Sequence, residues 1–310
     1  MNKRILFLGG GRRVELAGLF YTAGYSLYSY ELNTNQPISQ YATIIKGLPW
    51  NSQDIYLDIM RTVRENHIDM VIPLQDEAVL VISKLHQDVD ALVLTPAERV
   101  ANICFDKLLF MNYMNMFYPE YYPYPYMNSE SFVIKPRFGF GSRGIKFVSQ
   151  EELYAKIYAE STTAAKDSIV QRFVSGKEYS VDCYFNSWGS YIDGVPRERI
   201  RTAGGEVITS KTMKFSQLQH ICDSIGSNLK IIGPANFQFI VDEETKKPYL
   251  LEINCRFGGG STLSIAAGLD IISLIGRDYF GLKYNYIPNT WKKNLLLERS
   301  YRDHFYENSD

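Results

Sequence analysis

The chain has 310 residues, 45% hydrophobic and 22% charged, the composition of a folded globular protein, which excludes disorder as its dominant state. At ~150 residues per domain it holds about two domains or one three-lobed unit. Lysine and arginine number 33 against 34 acidic residues, a net charge of −1, so no basic excess exists to grip a phosphate backbone and nucleic acid is not an expected partner.

Ile5 to Leu8 is a short apolar run ending in Gly9, Gly10 and Gly11, which reads as a buried parallel strand. Val14, Leu16, Leu19, Phe20 and Ala23 follow at helical spacing, and Gly24 sits where a helix should stop. A strand over Tyr25 to Tyr30, a helix carrying Ile55, Ile59 and Val63, a strand from Asp69 to Leu74, a helix from Glu77 to Leu85 and a strand from Ala91 to Leu94 continue the alternation. Residues 1–95 therefore read as a small doubly wound α/β unit. Thr95-Pro96-Ala97-Glu98 reads as a capping box opening the next helix, and Asp106-Lys107 opens another to about Met116. Three prolines between Pro119 and Pro125 exclude a helix there. The tyrosines around them read first as a connector packed on its neighbours, and second as an aromatic strip for carbohydrate or a partner.

Beyond the connector the pattern turns to hairpins. Strands are expected over Phe132 to Lys135, Ile145 to Val148, Ser168 to Phe173, Glu178 to Phe185 and Ser190 to Val195. Ser149 to Glu152 is a second capping box. A helix after Phe215 precedes a hairpin of Ala235 to Val241 and Tyr249 to Asn254. The cysteines Cys104, Cys183, Cys222 and Cys255 are scattered, which argues against a zinc cage or a disulfide framework and suits a reducing cytosol. The first apolar run is too short for a signal peptide, and no stretch approaches the ~18–20 apolar residues of a membrane span. A cytoplasmic protein without a membrane partner is expected.

Three constellations carry chemistry. Lys135 to Gly144 holds three glycines in its last six residues together with Lys135, Arg137 and Arg143, so backbone amides and positive charge can converge on phosphate. Glu252 and Asn254 stand two apart on a strand and share a face; their oxygens suit Mg²⁺, with Arg256 following, and Gln238 can lie beside Glu252 on the other hairpin arm if the loop between holds an odd number of residues. Leu251 and Ile253 are expected on the buried face. Ile169 to Glu178 could form an adenine slot with a carboxylate for ribose hydroxyls, or an edge hairpin with an exposed acid. The glycines after the first strand, with Glu31 about 20 residues on, fall short of a dinucleotide fingerprint because Val14 replaces its third glycine. A substrate-carboxylate or structural role fits Gly9 to Arg13 better.

In this order the pieces resemble the ATP-grasp superfamily, and within it proteins similar to the large subunit of carbamoyl phosphate synthetase. The resemblance runs through Phe105-Asp106-Lys107, Val133 to Pro136, the glycine loop, Val170 to Asp182 and Asn236 to Phe239, and ends in Glu252-Ile253-Asn254-Cys255-Arg256-Phe257-Gly258-Gly259. It implies an α/β plus α+β fold: a Rossmann-like pre-ATP-grasp domain over 1–95, a small lobe with a glycine-rich lid over 96–165, and a large lobe with the Mg²⁺ site over 166–310. It implies that Lys107, Lys135, Gly139, Gly141, Ser142 and Gly144 meet ATP phosphates. Gln171 and Val174 would meet adenine, and Glu178 the ribose. Gln238, Glu252 and Asn254 would hold one or two Mg²⁺ (or Mn²⁺), while Arg256 and Arg199 act on the transferring phosphoryl group. Cys255, at a position the family usually fills with Pro or Ala, is expected to face away from the metal. The implied activity is ATP-dependent ligation of a carboxylate to an amine or thiol through an acyl phosphate. Bicarbonate activation and a catalytically silent ATP-binding module are the alternatives. Homodimers are common among similar proteins.

Overall fold

Ile5, Leu6, Phe7 and Leu8 are all fully buried because β1 (Arg4–Leu8) is the central strand of a parallel sheet covered on both faces. In this computed structural model residues 3–86, 88–125, 129–139, 144–159, 167–300 and 302–306 are described. After α1 (Val14–Thr22), the chain forms β2 (Ser26–Glu31) and β3 (Ala42–Lys46), then α2 (Ile55–Glu65), β4 (Met70–Pro73), α3 (Asp76–Lys84) and β5 (Leu92–Val93). The strand order is β3-β2-β1-β4-β5, all parallel, so the winding reverses between β1 and β4.

Alternation along β1 divides the core. Leu6 and Leu8 join Ile55, Ile59 and Ile82 from α2 and α3. Ile5 and Phe7 join Leu16 and Phe20 from α1, together with Phe257, Leu269, Ile271, Ile275 and Trp291 from the far end of the chain. Those last residues belong to α8 (Ser261–Ala267), α9 (Ile271–Phe280) and their flanks, helices the sequence reading did not anticipate.

The helix after Thr95 is α4 (Glu98–Phe105), and it starts two residues later than a Thr95 cap requires. Ala97 holds the cap position, and the buried Thr95 hydroxyl finds no hydrogen-bond partner among the described residues. Asp106 does cap α5 (Lys107–Phe117), accepting from the Leu108 and Leu109 amides. In the connector, Tyr122 and Tyr124 are buried in the main core beside Phe110 and Met114, as its packing reading required.

A three-stranded antiparallel sheet follows in the order β7-β6-β8, from β6 (Ser131–Pro136), β7 (Lys146–Ser149) and β8 (Ser168–Arg172). Its helix α6 (Gln150–Ala159) carries the anticipated capping box: the Ser149 amide donates to Glu152 at 2.8 Å, and the Glu152 amide donates to the Ser149 hydroxyl at 3.2 Å.

The last sheet has the order β13-β12-β9-β10-β11-β14, with antiparallel pairing throughout. Its strands are β9 (Gly176–Phe185), β10 (Tyr191–Ala203), β11 (Glu206–Thr212), β12 (Gly233–Asp242), β13 (Pro248–Asn254) and β14 (Leu296–Glu298), and α7 (Ser216–Leu229) packs on it. β10 runs eight residues past the expected Val195, through Pro196 and three arginines. A proline and a charge run argue against a central strand. Here Arg197 turns inward and is neutralised, and Gly204-Gly205, both at positive φ, close a two-residue hairpin to β11.

Candidate functional site

The pairing of β12 with β13 sets Gln238 opposite Glu252 and Asn236 opposite Asn254. A bulge between Gln238 and Phe239 makes that register possible. Leu251 falls at the irregularity and is half-buried rather than turned fully into the core, while Ile253 is buried as expected. Glu252, Asn254 and Gln238 are half-buried, and Cys255 lies in the core, facing away from them. Asn254 donates its amide to Glu252 Oε1 at 3.2 Å, which orients the side-chain oxygens of both.

Glu252 is an electrostatic hub. Its charge raises the pKa of Lys135, Arg199 and Arg256, so β6, β10 and the segment after β13 meet around it. Burial outweighs that help at Lys135 and Arg199 and lowers both pKa values; the neighbouring Lys107 adds to the effect at Lys135. Burial also opposes the charged form of Arg256, but Asp76 and Glu252 reverse the sign and raise it. The donors are hard oxygens with one carboxylate, and the described residues contain no cluster of three or more His, Cys, Asp or Glu. That set fits Mg²⁺, which keeps waters and takes substrate phosphates alongside one or two carboxylates.

Lys107 sits at the N-terminus of α5 and donates to the Gly139 carbonyl at 2.8 Å, joining that helix to the glycine loop. Arg137 makes a two-pronged ion pair with Asp106 at 2.8 and 2.6 Å, and Phe105 stacks on Phe138. Burial raises the Asp106 pKa, but Arg137 and the capped amides outweigh it and hold it below its usual value. Gly139 and Gly144 both have positive φ. Gly141 and Ser142 lie outside the described residues.

Gln171 is buried on β8 with its amide nitrogen unpartnered among the described residues, and Val174 is buried nearby in sequence. Glu178 is exposed and paired to Arg199 at 3.1 Å, so two residues assigned to ribose and to phosphoryl transfer stand in direct contact.

Two features escaped the sequence reading. Asp76, just after β4, grips Arg256 with bonds of 2.8 and 2.6 Å. A polar residue outside the carboxyl end of a parallel strand was the available signal. The second is the buried quartet of Asp182, Arg197, Asn236 and Ser264. Asp182 accepts from Arg197 Nε at 2.7 Å, Asn236 at 2.7 Å and Ser264 at 2.6 Å, directly beneath Gly258 and Gly260. Glu31, the candidate ribose ligand of the rejected dinucleotide reading, instead accepts from the Gly11 amide and the Ser29 hydroxyl.

Residues 164–296 match the sequence profile of a family described as ATP-grasp in the biosynthetic pathway with Ter operon. A 135-residue stretch is 26% identical to the carbamoyl phosphate synthase large chain of Pyrococcus furiosus, spanning 40% of this chain and 12% of that one. Among solved structures, the fold is similar to the biotin carboxylase domain dimer of Hydrogenobacter thermophilus 2-oxoglutarate carboxylase, in complex with MgADP, ADP and bicarbonate. The TM-score is 0.73 at 15% identity, over 96% of this chain and 73% of that one. It is also similar to the L-amino acid ligase of Bacillus licheniformis, with a TM-score of 0.66 at 16% identity over 90% and 74% of the two chains. With this fold across nearly its whole length and a matching sequence pattern over residues 164–296, the chain is similar to ATP-grasp proteins, the carbamoyl phosphate synthase large chain among them.

Proposed function

We propose that the chain is an ATP-dependent ligase that joins a carboxylic acid to an amine or thiol through an acyl phosphate, releasing ADP and phosphate. The observation that carries this reading is the oxygen-donor face of Glu252, Asn254 and Gln238, with Lys135, Arg199 and Arg256 gathered around the Glu252 charge. A carboxylate oxygen would attack the γ-phosphorus of ATP, and the nucleophile would then displace phosphate from the activated acid. The protein's work is positioning and charge neutralisation. Lys135 and Lys107 would bind phosphates, Gln171 and Val174 adenine, and Glu178 the ribose, with Arg199 holding Glu178 in place. Arg256, fixed by Asp76, would face the transferring group. Glu252, Asn254 and Gln238 would hold Mg²⁺ or Mn²⁺, which supplies charge neutralisation at the phosphate oxygens.

In this reading residues 1–95 are the pre-ATP-grasp domain, 96–165 the small lobe and 166–310 the large lobe, acting as a cytoplasmic enzyme and a homodimer. Among the described residues no helix is long and apolar enough to cross a membrane.

ADP release is expected only when a matching acid is present, and product only when an amine or thiol is added. Arg256→Ala should slow acid-stimulated ADP release by about 10²–10³, the loss typical of one electrostatic donor, and Glu252→Ala by more. Wild-type turnover in both variants would sink the assignment. Bicarbonate is a second reading, because the Hydrogenobacter domain was captured with that anion. Incorporation of labelled bicarbonate into product separates the two.

A further inference from the structure

Three consecutive carbonyls in the turn after β13 are each held by a guanidinium. Arg256 Nη1 donates to Phe257 O at 3.2 Å, Arg13 Nη1 to Gly258 O at 3.0 Å and Arg299 Nη2 to Gly259 O at 2.5 Å. Carbonyls are neutral and cannot balance three charges. Asp76 balances Arg256, and the exposed Glu206 lies 3.6 Å from Arg299. Among the described residues no carboxylate reaches ion-pair distance of Arg13, which is half-buried. Burial, and then the neighbouring Arg256, lower the Arg13 pKa to about 10 against the partial support of Glu206 and Asp76, so it stays charged at neutral pH despite the crowding. Pinning a glycine turn needs only a neutral donor. A guanidinium held against two others, with most of its five N–H groups uncommitted to that turn, suits an anion better.

The location agrees. Gly9 to Arg13 follow β1 and Gln75-Asp76 follow β4, so the cluster borders the crevice where the strand order reverses, the place at which open α/β sheets bind ligands. The two loops touch there: a Cβ on Gly9 would lie 2.5 Å from the Gln75 side chain. The glycine-loop amide of Gly11 is already taken by Glu31, which leaves arginine as the charged anchor.

We propose that Arg13 and Arg299 bind a second anionic group on the acid substrate, so that the acid activated beside Arg256 is a small di-anion: a dicarboxylate, or a carboxylate bearing a phosphoryl or phosphonate group. This rests on the carboxylate-activating reading of the site. The test is calorimetric titration of the full chain, in the presence of Mg-ADP, with propionate, a series of dicarboxylates from malonate to adipate, and 3-phosphonopropionate. At least one di-anion should bind about tenfold or more tightly than propionate, and whether carboxylate or phosphonate wins identifies the second group. Arg13→Gln and Arg299→Gln should each erase most of that preference, and Arg13→Lys should keep part of it. Equal binding of propionate and every di-anion, no binding of any di-anion at millimolar concentration, or a preference that survives in the R13Q/R299Q double variant would each overturn the proposal. The wild-type comparison decides even where a variant does not fold. Nucleotide affinity titrated separately keeps the two readings apart: a chain that binds Mg-ATP without preferring di-anions loses only this inference.

Discussion

Lys135 shows how one residue's surroundings set its chemistry. Its side chain is half-buried on β6 between the opposing influences of Glu252 and Lys107, and loss of solvation wins, so its pKa lies below the ordinary lysine value of 10.5. A cation with a lowered pKa loses its charge earlier as pH rises. Mg-ATP affinity is therefore expected to fall with rising pH from below 10.5, and the fall should be absent in Lys135→Arg, whose guanidinium stays protonated. Nucleotide titrations of both proteins across alkaline pH check this; parallel profiles would remove Lys135 from the phosphate site. The same residue scale explains Arg197. Its charge is tolerated in a central strand because Asp182 meets it at 2.7 Å, and breaking such a buried pair from one side costs about 3–5 kcal/mol.

At the scale of elements, the turn joining β13 to α8 is built on closeness. A Cβ on Gly260 would stand 2.7 Å from Arg197 Nη1, whereas one on Gly259 would meet nothing nearer than 3.7 Å. Neither glycine has positive φ, so contact rather than backbone strain separates them. Gly260→Ala should destabilise the protein by about 1–3 kcal/mol through overpacking against the buried guanidinium. Gly259→Ala should stay within about 0.5 kcal/mol of wild type. Urea unfolding of the two variants measures the difference, and equal midpoints would mean that the Asp182–Arg197 quartet yields freely.

Over the whole molecule, the N-terminal sheet has a core of its own on one face only. The α2/α3 face is sealed by its own helices, but the other is closed by α1 together with Phe257, Leu269, Ile271 and Trp291 from the chain's far end. Arg256 and Asp76 bridge the same two regions with a polar contact. One cooperative unfolding transition is expected. Single-tryptophan variants reporting from Trp50, beside Tyr30, and from buried Trp291 should melt together. Separate melting temperatures would show that residues 1–95 fold on their own.

Local pattern was enough for β1, β2, β4, β5 and α1 to α3, for the capping box at Ser149, and for the common face of Glu252 and Asn254; it missed β3, and the register of Gln238 on Glu252 rests on the bulge rather than on loop parity. Period, capping chemistry and strand parity are short-range rules, readable within a few residues. The same rules stopped β10 at Val195, because they score Pro196 and Arg197 without seeing the buried Asp182 that compensates them. Asp76 on Arg256, Arg13 on Gly258 and the α9 cover over β1 join residues 180, 245 and more than 260 positions apart. Such pairs leave no periodic trace in a single sequence. Tertiary packing alone decides them, because burial and charge neutralisation depend on which distant groups arrive in the same place.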